Sequence, residues 1–386
     1  MRKAVHAGLW WVLVVASWMP SPVMAQEGAP TEVPSRVESD PRLAATSKAW
    51  HAAWRTNVEA HLRAVAARGA PRDLLVAGWL WPDEERAERI PTDAAFFGPQ
   101  ARAWIQAAYD GSRGDDVLVD WALLNACPVT GADCDRIMLL RRLMVADPGN
   151  AEILLTAYQD AIGRNDTVAA ERYWQAASAG TRYHSRINEL GTLMMSELRR
   201  VPAPVLDPTL AAAIGEDARL GRDATPRDMA DFVVMARIAA IAVPTLVPIR
   251  DRCTAQVGSL PSAARSACRR VHTLLADDET ILISQMLGLP RLVEWADTDA
   301  ERAAARERLR RFAWVYESLR RLSDPSVPEQ KMPEDYIDHL FREGEFATLR
   351  RLMQINGIAA EPPSGWLPAH QGWRELLTGA PIPATH

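Results

Sequence analysis

The chain has 386 residues, of which 24% are charged and 48% hydrophobic, and its formal net charge at pH 7 is −5. A mildly acidic chain without a block of basic residues is a poor nucleic-acid binder, so we expect no nucleic-acid partner. Beyond the N-terminal segment no apolar run reaches transmembrane length, and we expect no stable membrane span there.

The first 25 residues have the layout of a secretory signal peptide. Arg2 and Lys3 form a basic start, residues 8–19 are almost entirely apolar, and residues 23–25 resemble a cleavage site. Retention of this segment as a membrane anchor is the alternative, although its apolar run is short for a bilayer. The sequence therefore predicts a periplasmic or secreted protein, of the kind exported by Gram-negative bacteria.

The segment after the signal is polar and contains prolines, which favours a flexible linker over residues 26–40. From Pro41 onward apolar residues recur at spacings of three and four, as in one face of a helix. The first such stripe predicts a helix over about 41–67 and consists of Trp50, Trp54, Val58, Leu62 and Val65. No segment alternates apolar and polar residues over strand length, so we expect an all-α protein.

Four cysteines form two local pairs in the sequence, Cys127 with Cys134 and Cys253 with Cys268. Neither spacing fits a zinc knuckle or a Cys-x-x-Cys redox site. An exported protein meets an oxidising compartment, where cysteines tend to pair. Three connectivities are possible, and we expect the two local disulfides.

Residues 148–180, PGNAEILLTAYQDAIGRNDTVAAERYWQAASAG, combine small and large residues at set positions of a helical hairpin. This stretch resembles a tetratricopeptide repeat, a helix–turn–helix unit of about 34 residues. The resemblance extends more weakly over about 117–200. The alignment implies that the packing between the two helices is made by Leu154, Ala157, Ala170, Trp174 and Ala177.

Such hairpins stack on their neighbours, so the resemblance implies a right-handed superhelix, a tetratricopeptide-like α-solenoid with degenerate repeats outside the centre. Its concave surface commonly binds peptides or proteins. The leading hypothesis is therefore a non-catalytic exported module with a protein or peptide partner and no cofactor. This step rests on the architecture alone.

Helix starts continue towards the C terminus, at Thr225-Pro226 and at the capping box from Thr298 to Glu301. The helix that follows, residues 301–321, carries arginines and glutamates at helical spacing, which favours a solvated, salt-bridged face over an anion site. Prolines cluster near the C terminus, where we expect a largely irregular tail.

The expected organisation has six parts: a signal peptide at 1–25, a linker at 26–40, an N-terminal helical region at 41–115, repeats at 116–200, a C-terminal helical region at 201–360 and a proline-rich tail at 361–386.

One short run suggests an enzyme instead. Residues 352–357, LMQING, are similar to a run in lytic transglycosylases, periplasmic enzymes that pair a helical superhelix with a catalytic domain. Those enzymes need a glutamic acid as general acid, typically in a Glu-Ser pair some twenty residues earlier. Here Glu343 and Glu345 are too close, no Glu-Ser pair precedes them, and Arg351 replaces a glycine. The run is better explained as a helix that Asn356-Gly357 ends, with these residues facing a core: Phe346, Leu349, Leu352 and Met353. A cell-wall-acting hydrolase without a recognisable motif remains the alternative hypothesis.

The remaining candidates are histidines and tryptophans. The histidines are scattered and form no metal-binding motif, so surface or capping positions are their ordinary explanation. Four tryptophans near turns are candidates for a peptide or sugar groove, although edge packing is their more ordinary explanation: Trp79, Trp81, Trp366 and Trp373.

Overall fold

A computed structural model describes residues 35–82, 97–126, 135–239, 247–253, 260–322 and 331–379. Over these residues the chain forms eighteen α-helices and no β-strand, which confirms the prediction of an all-α protein. Within the same residues no helix combines the length and the apolar character that a membrane span requires. The predicted signal peptide lies outside the described residues.

The helices, in chain order, are α1 Arg36–Ser39, α2 Pro41–Ala66, α3 Pro71–Leu80, α4 Pro99–Gly111, α5 Val117–Ala126, α6 Arg136–Ala146, α7 Ala151–Gly163, α8 Thr167–Ser178, α9 Ile187–Leu198, α10 Pro208–Asp217, α11 Pro226–Ala239, α12 Val247–Cys253, α13 Ser262–Ala276, α14 Leu282–Glu294, α15 Asp299–Leu322, α16 Tyr336–Glu343, α17 Glu345–Ile355 and α18 Gln371–Thr378.

The helices belong to two compact units, each assembled from separate stretches of the chain. The first unit takes the described residues within 1–143, 189–243 and 332–337, and the second takes those within 144–188, 244–331 and 338–386. Helices α1–α6 and α9–α11 lie wholly or mainly in the first unit, and α7, α8 and α12–α18 in the second. The stretch in which we expected repeats, 116–200, therefore contributes to both units.

Helix α2 organises the first unit through its apolar stripe. All five residues of the predicted stripe are buried: Trp50, Trp54, Val58, Leu62 and Val65. The helix begins where the Asp40 carboxylate accepts a hydrogen bond from the Arg42 amide and Pro41 takes the first helical position. The Trp50 indole donates to the Pro204 carbonyl at 3.1 Å, so its one polar atom is satisfied.

The end of the expected linker is ordered, and that part of the prediction is wrong. Residues 36–39 form α1, in which Ser35 caps the helix and Val37 is buried. The Asp217 carboxylate accepts hydrogen bonds from the backbone amides of Arg36 and Val37, at 2.9 and 3.2 Å. A polar segment is held here by a carboxylate that is 180 residues away from Val37 in sequence, which local composition cannot reveal. Residues 26–34 lie outside the described residues.

In the second unit, α7 and α8 form an antiparallel hairpin with a small-residue interface. Ala157, Ala170 and Ala177 are buried, and their size lets the two helices approach closely. Trp174 has no exposed surface, and its ring centroid lies 5.3 Å from that of Tyr158. Leu154 is partly buried against the same cluster. Ala170, Trp174 and Ala177 thus belong to one core cluster with Leu154 packed against it, and Ala157 is buried.

The loops at the open end of this hairpin are tied together by polar side chains. Asn150 caps α7 and exchanges hydrogen bonds with the backbone of His184, at 2.9 and 3.0 Å. Asp147 accepts from Asn150 and from Arg186 and is ion-paired with Arg182. Burial alone would raise the pKa of Asp147, but these donors and charges outweigh it and lower the pKa.

A second close contact joins α13 to α14. Gly288 of α14 is buried, and a Cβ atom there would lie 2.5 Å from the Ala276 nitrogen and 2.6 Å from the His272 carbonyl oxygen. Both neighbours are backbone atoms of α13. The two helices therefore pack with backbone against backbone, which only glycine allows.

The proline-rich tail contains α18, so the expectation of a largely irregular tail is wrong for residues 371–378. Trp373 is buried, with its ring centroid 5.6 Å from that of Phe312 on α15. The Glu317 carboxylate of α15 accepts hydrogen bonds from the backbone amides of Ala369 and His370, at 2.5 and 3.1 Å. These tertiary contacts order a segment whose prolines suggested irregularity.

A disulfide between Cys253 and Cys268 joins α12 to α13, with Cα atoms 5.8 Å apart. This pairing confirms one of the two predicted bridges and fits an oxidising compartment. Arg252, next in sequence to Cys253, lies over the Trp174 ring at 4.8 Å and is paired with Glu171 at 2.5 Å. Cys127 and Cys134 lie outside the described residues.

Replacing both Cys253 and Cys268 by serine is expected to lower the free energy of unfolding by about 2–3 kcal/mol, because the bridge restricts the unfolded chain. Urea unfolding of both proteins, with and without dithiothreitol, measures the effect. Dithiothreitol should bring the wild type towards the stability of the variant. A variant that is as stable as the oxidised wild type would contradict the prediction, and any effect of dithiothreitol on the variant reports a further bridge.

Candidate ligand-binding cavity

A cavity of about 240 Å³ lies in the second unit, among α13, α14, α15 and α17. Its lining residues come from the end of α13 and the loop after it, from one face each of α14 and α15, from the start of α17 and from the loop after α17. They are Ala276, Glu279, Gln285, Leu289, Arg308, Arg311, Phe312, Val315, Phe346, Arg350 and Ala360.

The floor of the cavity is apolar. Leu289, Phe312 and Val315 are almost without solvent exposure, and Phe346 adds an aromatic wall. Leu289, Phe312 and Val315 sit on the buried faces of α14 and α15, so ordinary core-forming periodicity places them there. The floor offers contact area to an apolar group and no charge.

One polar side chain interrupts this floor. Gln285 of α14 is 6% exposed, lines the cavity, and its amide makes no hydrogen bond to any other described residue. Polar groups in an apolar lining are normally satisfied by protein, water or ligand. Gln285 therefore presents one donor and one acceptor function to whatever fills the cavity.

The rim carries three arginines, from two helices. Arg308 and Arg311 lie one turn apart on α15, and Arg350 lies on α17. The Arg308 guanidinium donates to the Asp277 carboxylate at 2.7 Å and to the Ala276 carbonyl at 2.9 Å. Three of the four charged residues that line the cavity are therefore arginines on helices, and the fourth is Glu279, in the loop after α13.

The other two arginines share one carboxylate. Glu361, in the loop after α17, lies 3.2 Å from the Arg311 Nε atom and 3.1 Å from an Arg350 amino group. All three side chains are about half exposed. Arg311 also contacts Glu307 at 3.0 Å, and the Arg350 guanidinium lies 5.7 Å from the centre of the Phe346 ring. Each arginine therefore has a second contact that fixes its place.

The loop that carries Glu361 is anchored beside the cavity. The Trp314 indole of α15 donates to the Ala359 carbonyl at 2.8 Å, and the Trp366 ring packs edge-on against Trp314 at 5.1 Å. The Arg310 guanidinium adds a hydrogen bond to the Pro363 carbonyl at 3.2 Å. These contacts hold the loop on both sides of Glu361.

Next to the cavity wall are two acids, of which Asp278 is buried and Glu345 is partly buried. Asp278 and Glu345 directly precede the lining residues Glu279 and Phe346 in sequence. Burial, with a smaller effect of the Asp278 charge, raises the pKa of Glu345 to about 7, against a stabilising hydrogen bond from the Leu282 amide. Burial also raises the pKa of Asp278.

Only one of the two carboxylate oxygens of Asp278 has a hydrogen-bond partner among the described residues. Thr280 donates to its Oδ1 atom from the backbone and from the hydroxyl. The Oδ2 atom of Asp278 is buried and without a partner among the described residues. A protonated carboxyl at this position lowers the cost of its burial, in line with the raised pKa.

The four tryptophans that suggested a groove are distributed over both units. In the first unit, Trp79 is buried with its ring 4.9 Å from that of Phe97, and Trp81 packs against Trp104 at 5.0 Å, with Arg63 above it. In the second unit, Trp373 is buried and Trp366 is partly exposed beside the loop of Glu361. Among the four, Trp366 lies nearest in sequence to a lining residue of the cavity.

The histidines take two kinds of position. His370 caps α18 by accepting a hydrogen bond from the Trp373 amide, a role of the kind expected for it. His272, by contrast, is buried in the core of the second unit, with its ring 5.3 Å from that of Trp295. Burial lowers the pKa of His272 to about 3, so the ring is neutral. The described residues contain no group of side chains suited to hold a metal ion.

Helix α15 carries the salt-bridged face that its sequence predicts, for instance in the pairs of Glu307 with Arg310 and Arg311. The sequence does not predict two other features, namely that Arg308 and Arg311 reach the cavity rim and that Gln285 is buried. A lone polar residue on the apolar face of α14 is the one signal that pointed there.

No protein-family model, no curated protein and no solved structure matches the chain. A function is therefore inferred from the residues of the cavity.

Proposed function

We propose that this protein is a non-catalytic, exported helical binding module that takes a peptide segment of a partner protein, with the arginine-rimmed cavity of the second unit as its binding site. The observation that carries the proposal is the amide of Gln285, which lines an apolar chamber without a hydrogen bond to another described residue. Binding sites are typically apolar concavities with a few placed polar groups, and this cavity has that composition.

Peptides suit the cavity better than purely apolar ligands. A peptide group offers both a donor and an acceptor and can therefore pair with the Gln285 amide. A hydrocarbon leaves that amide unpaired. The tetratricopeptide-like hairpin of α7 and α8 supports the same class of function, because stacked helical hairpins commonly present peptide-binding surfaces. The superhelix and the periplasmic location belong to the proposal.

The test uses the full chain and an immobilised library of random short peptides, each with a free C terminus. Wild-type protein is expected to retain a subset of peptides, and Val315→Phe, which fills the cavity from its floor, is expected to lose them. Thermal unfolding of the variant checks that it is folded. If no peptide is retained above background, or if Val315→Phe retains the same set, the proposal is wrong.

A cell-wall-acting hydrolase is the second candidate, and one observation favours it. Glu345 has a pKa of about 7, which suits a general acid at neutral pH, and it precedes a residue of the cavity wall. Zymography on peptidoglycan distinguishes the candidates. Clearing by the wild type that is lost in Glu345→Gln would establish the hydrolase in place of the binding module.

A further inference from the structure

We propose that Arg311 and Arg350 form a clamp for the C-terminal carboxylate of a peptide with an apolar last residue, and that Glu361 occupies this clamp until the peptide displaces it. This inference rests on the proposed function and names the part of the peptide that the cavity recognises. It also assigns a regulatory contact to a residue of the chain itself.

The first step is the geometry of the clamp. One carboxylate already sits between the two arginines, with its oxygens 3.2 Å from the Arg311 Nε atom and 3.1 Å from an Arg350 amino nitrogen. Arginine is the residue best suited to bind carboxylates, because its planar guanidinium offers several donors in fixed directions. The Glu361 side chain shows that the space between these arginines accepts a carboxylate.

The second step is that Glu361 is a weak occupant. Its side chain is 53% exposed, and those of Arg311 and Arg350 are 56% and 45% exposed. Ion pairs so open to solvent contribute little, because water screens the charges and the long side chains lose entropy. A ligand that adds buried contacts to the same carboxylate interaction therefore outcompetes Glu361.

Arg311 and Arg350 keep other contacts when Glu361 is displaced. Arg311 keeps its contact with Glu307 at 3.0 Å, and Arg350 keeps its position over the Phe346 ring. Both guanidinium groups thus stay at the rim of the cavity. A clamp that is held in place before binding loses less entropy when the ligand arrives.

The cavity below the two arginines suits the last residue of a peptide. An apolar side chain matches the floor of Leu289, Phe312 and Val315, and a peptide group matches the unpaired amide of Gln285. The cavity of about 240 Å³ is smaller than the roughly 300–1,000 Å³ of most ligand sites. It therefore suits the end of a chain rather than a complete large ligand.

The test measures affinities by titration calorimetry with three probes, namely acetyl-Gly-Ala-Leu with a free carboxylate, its C-terminal amide, and octanoate. The free acid is expected to bind about tenfold or more tightly than the amide, because only the acid offers a charge to the clamp. Octanoate is expected to bind more weakly than the peptide acid, since it leaves the Gln285 amide unpaired.

Three variants and two controls separate the roles. Glu361→Gln is expected to tighten binding of the peptide acid about three- to tenfold by removing the competitor, whereas Asp299→Asn, which removes one exposed charge elsewhere on the unit, is expected to have an effect of less than about twofold. Arg350→Gln is expected to weaken binding of the peptide acid, and Arg351→Gln is its matched control. Gln285→Leu replaces the amide by an apolar side chain of similar size. It is expected to weaken binding of the peptide acid and to leave the affinity for octanoate unchanged.

The outcomes are distinguishable. If the peptide acid and the amide bind equally, or if Glu361→Gln leaves the affinity for the acid unchanged, the proposed carboxylate clamp is wrong. The proposed function as a peptide-binding module is not contradicted by that result. If octanoate binds as tightly as the peptide, the ligand is a lipid-type carboxylate and the assignment to a peptide is overturned. If neither form of the peptide binds and the library retains nothing, the proposed function itself fails.

Discussion

Gly288→Ala is expected to lower the free energy of unfolding by about 3 kcal/mol, because a single added methyl group forces α13 and α14 apart. The new Cβ atom would lie 2.5 Å from the Ala276 nitrogen and 2.6 Å from the His272 carbonyl oxygen. Backbone atoms of a helix cannot swing aside as a flexible side chain does. The gain of about 1 kcal/mol in helix propensity from glycine to alanine offsets only a part of this cost.

Urea unfolding followed by tryptophan fluorescence measures the change, and Gly372→Ala is the matched control. Gly372 lies in α18, where the nearest atom to a new Cβ is the His370 ring at 3.3 Å, a side chain that has room to shift. We expect the control to remain within about 1 kcal/mol of the wild type. Equal stabilities of the two variants would show that the helices tolerate a wider spacing.

Glu345→Gln is expected to stabilise the protein at about pH 8 by roughly 3 kcal/mol, a value that corresponds to the rise in pKa from its ordinary value of 4.5 to about 7. The native state binds the proton of Glu345 more tightly than the unfolded chain does. Protonation therefore stabilises the native state fully below pH 4.5, and this stabilisation is lost as the pH rises through about 7. The amide oxygen of glutamine still accepts the hydrogen bond from the Leu282 amide.

Unfolding free energies measured from about pH 4 to pH 8 test this prediction, with the exposed neighbour Glu343→Gln as control. The variant at position 345 should lose much of the decline in stability between pH 4.5 and 7 that the wild type shows, while Asp278 contributes what is left in the same direction. Identical pH profiles for the wild type and Glu345→Gln would place the titrating group elsewhere.

The regular part of the fold was accessible from the sequence. The stripe of α2 predicted both its helix and its buried face, since a spacing of three and four residues determines which side of a helix is apolar. In the same way the small residues of α7 and α8 indicated a close hairpin, and Ala157 and Ala177 have no exposed surface. The Cys253–Cys268 bridge followed from sequence proximity and compartment.

Other features were not accessible because they arise from contacts between distant residues. The helices α1 and α18 are ordered by Asp217 and Glu317, whose carboxylates accept from backbone amides far away in the sequence. The cavity has the same character, since Gln285, Arg311 and Arg350 come from three helices. No local pattern records that three such residues will surround one space.

The division into units has a consequence for how the chain is made and cut. The first unit takes residues from three stretches, the last of which is 332–337, and the second unit needs residues 338–386 in addition to two earlier stretches. A chain that emerges N terminus first therefore completes neither unit until almost all of it has appeared, so early folding must wait for late contacts. Truncation from either end damages both units or leaves one of them without a segment, and no single cut separates the protein into two complete halves.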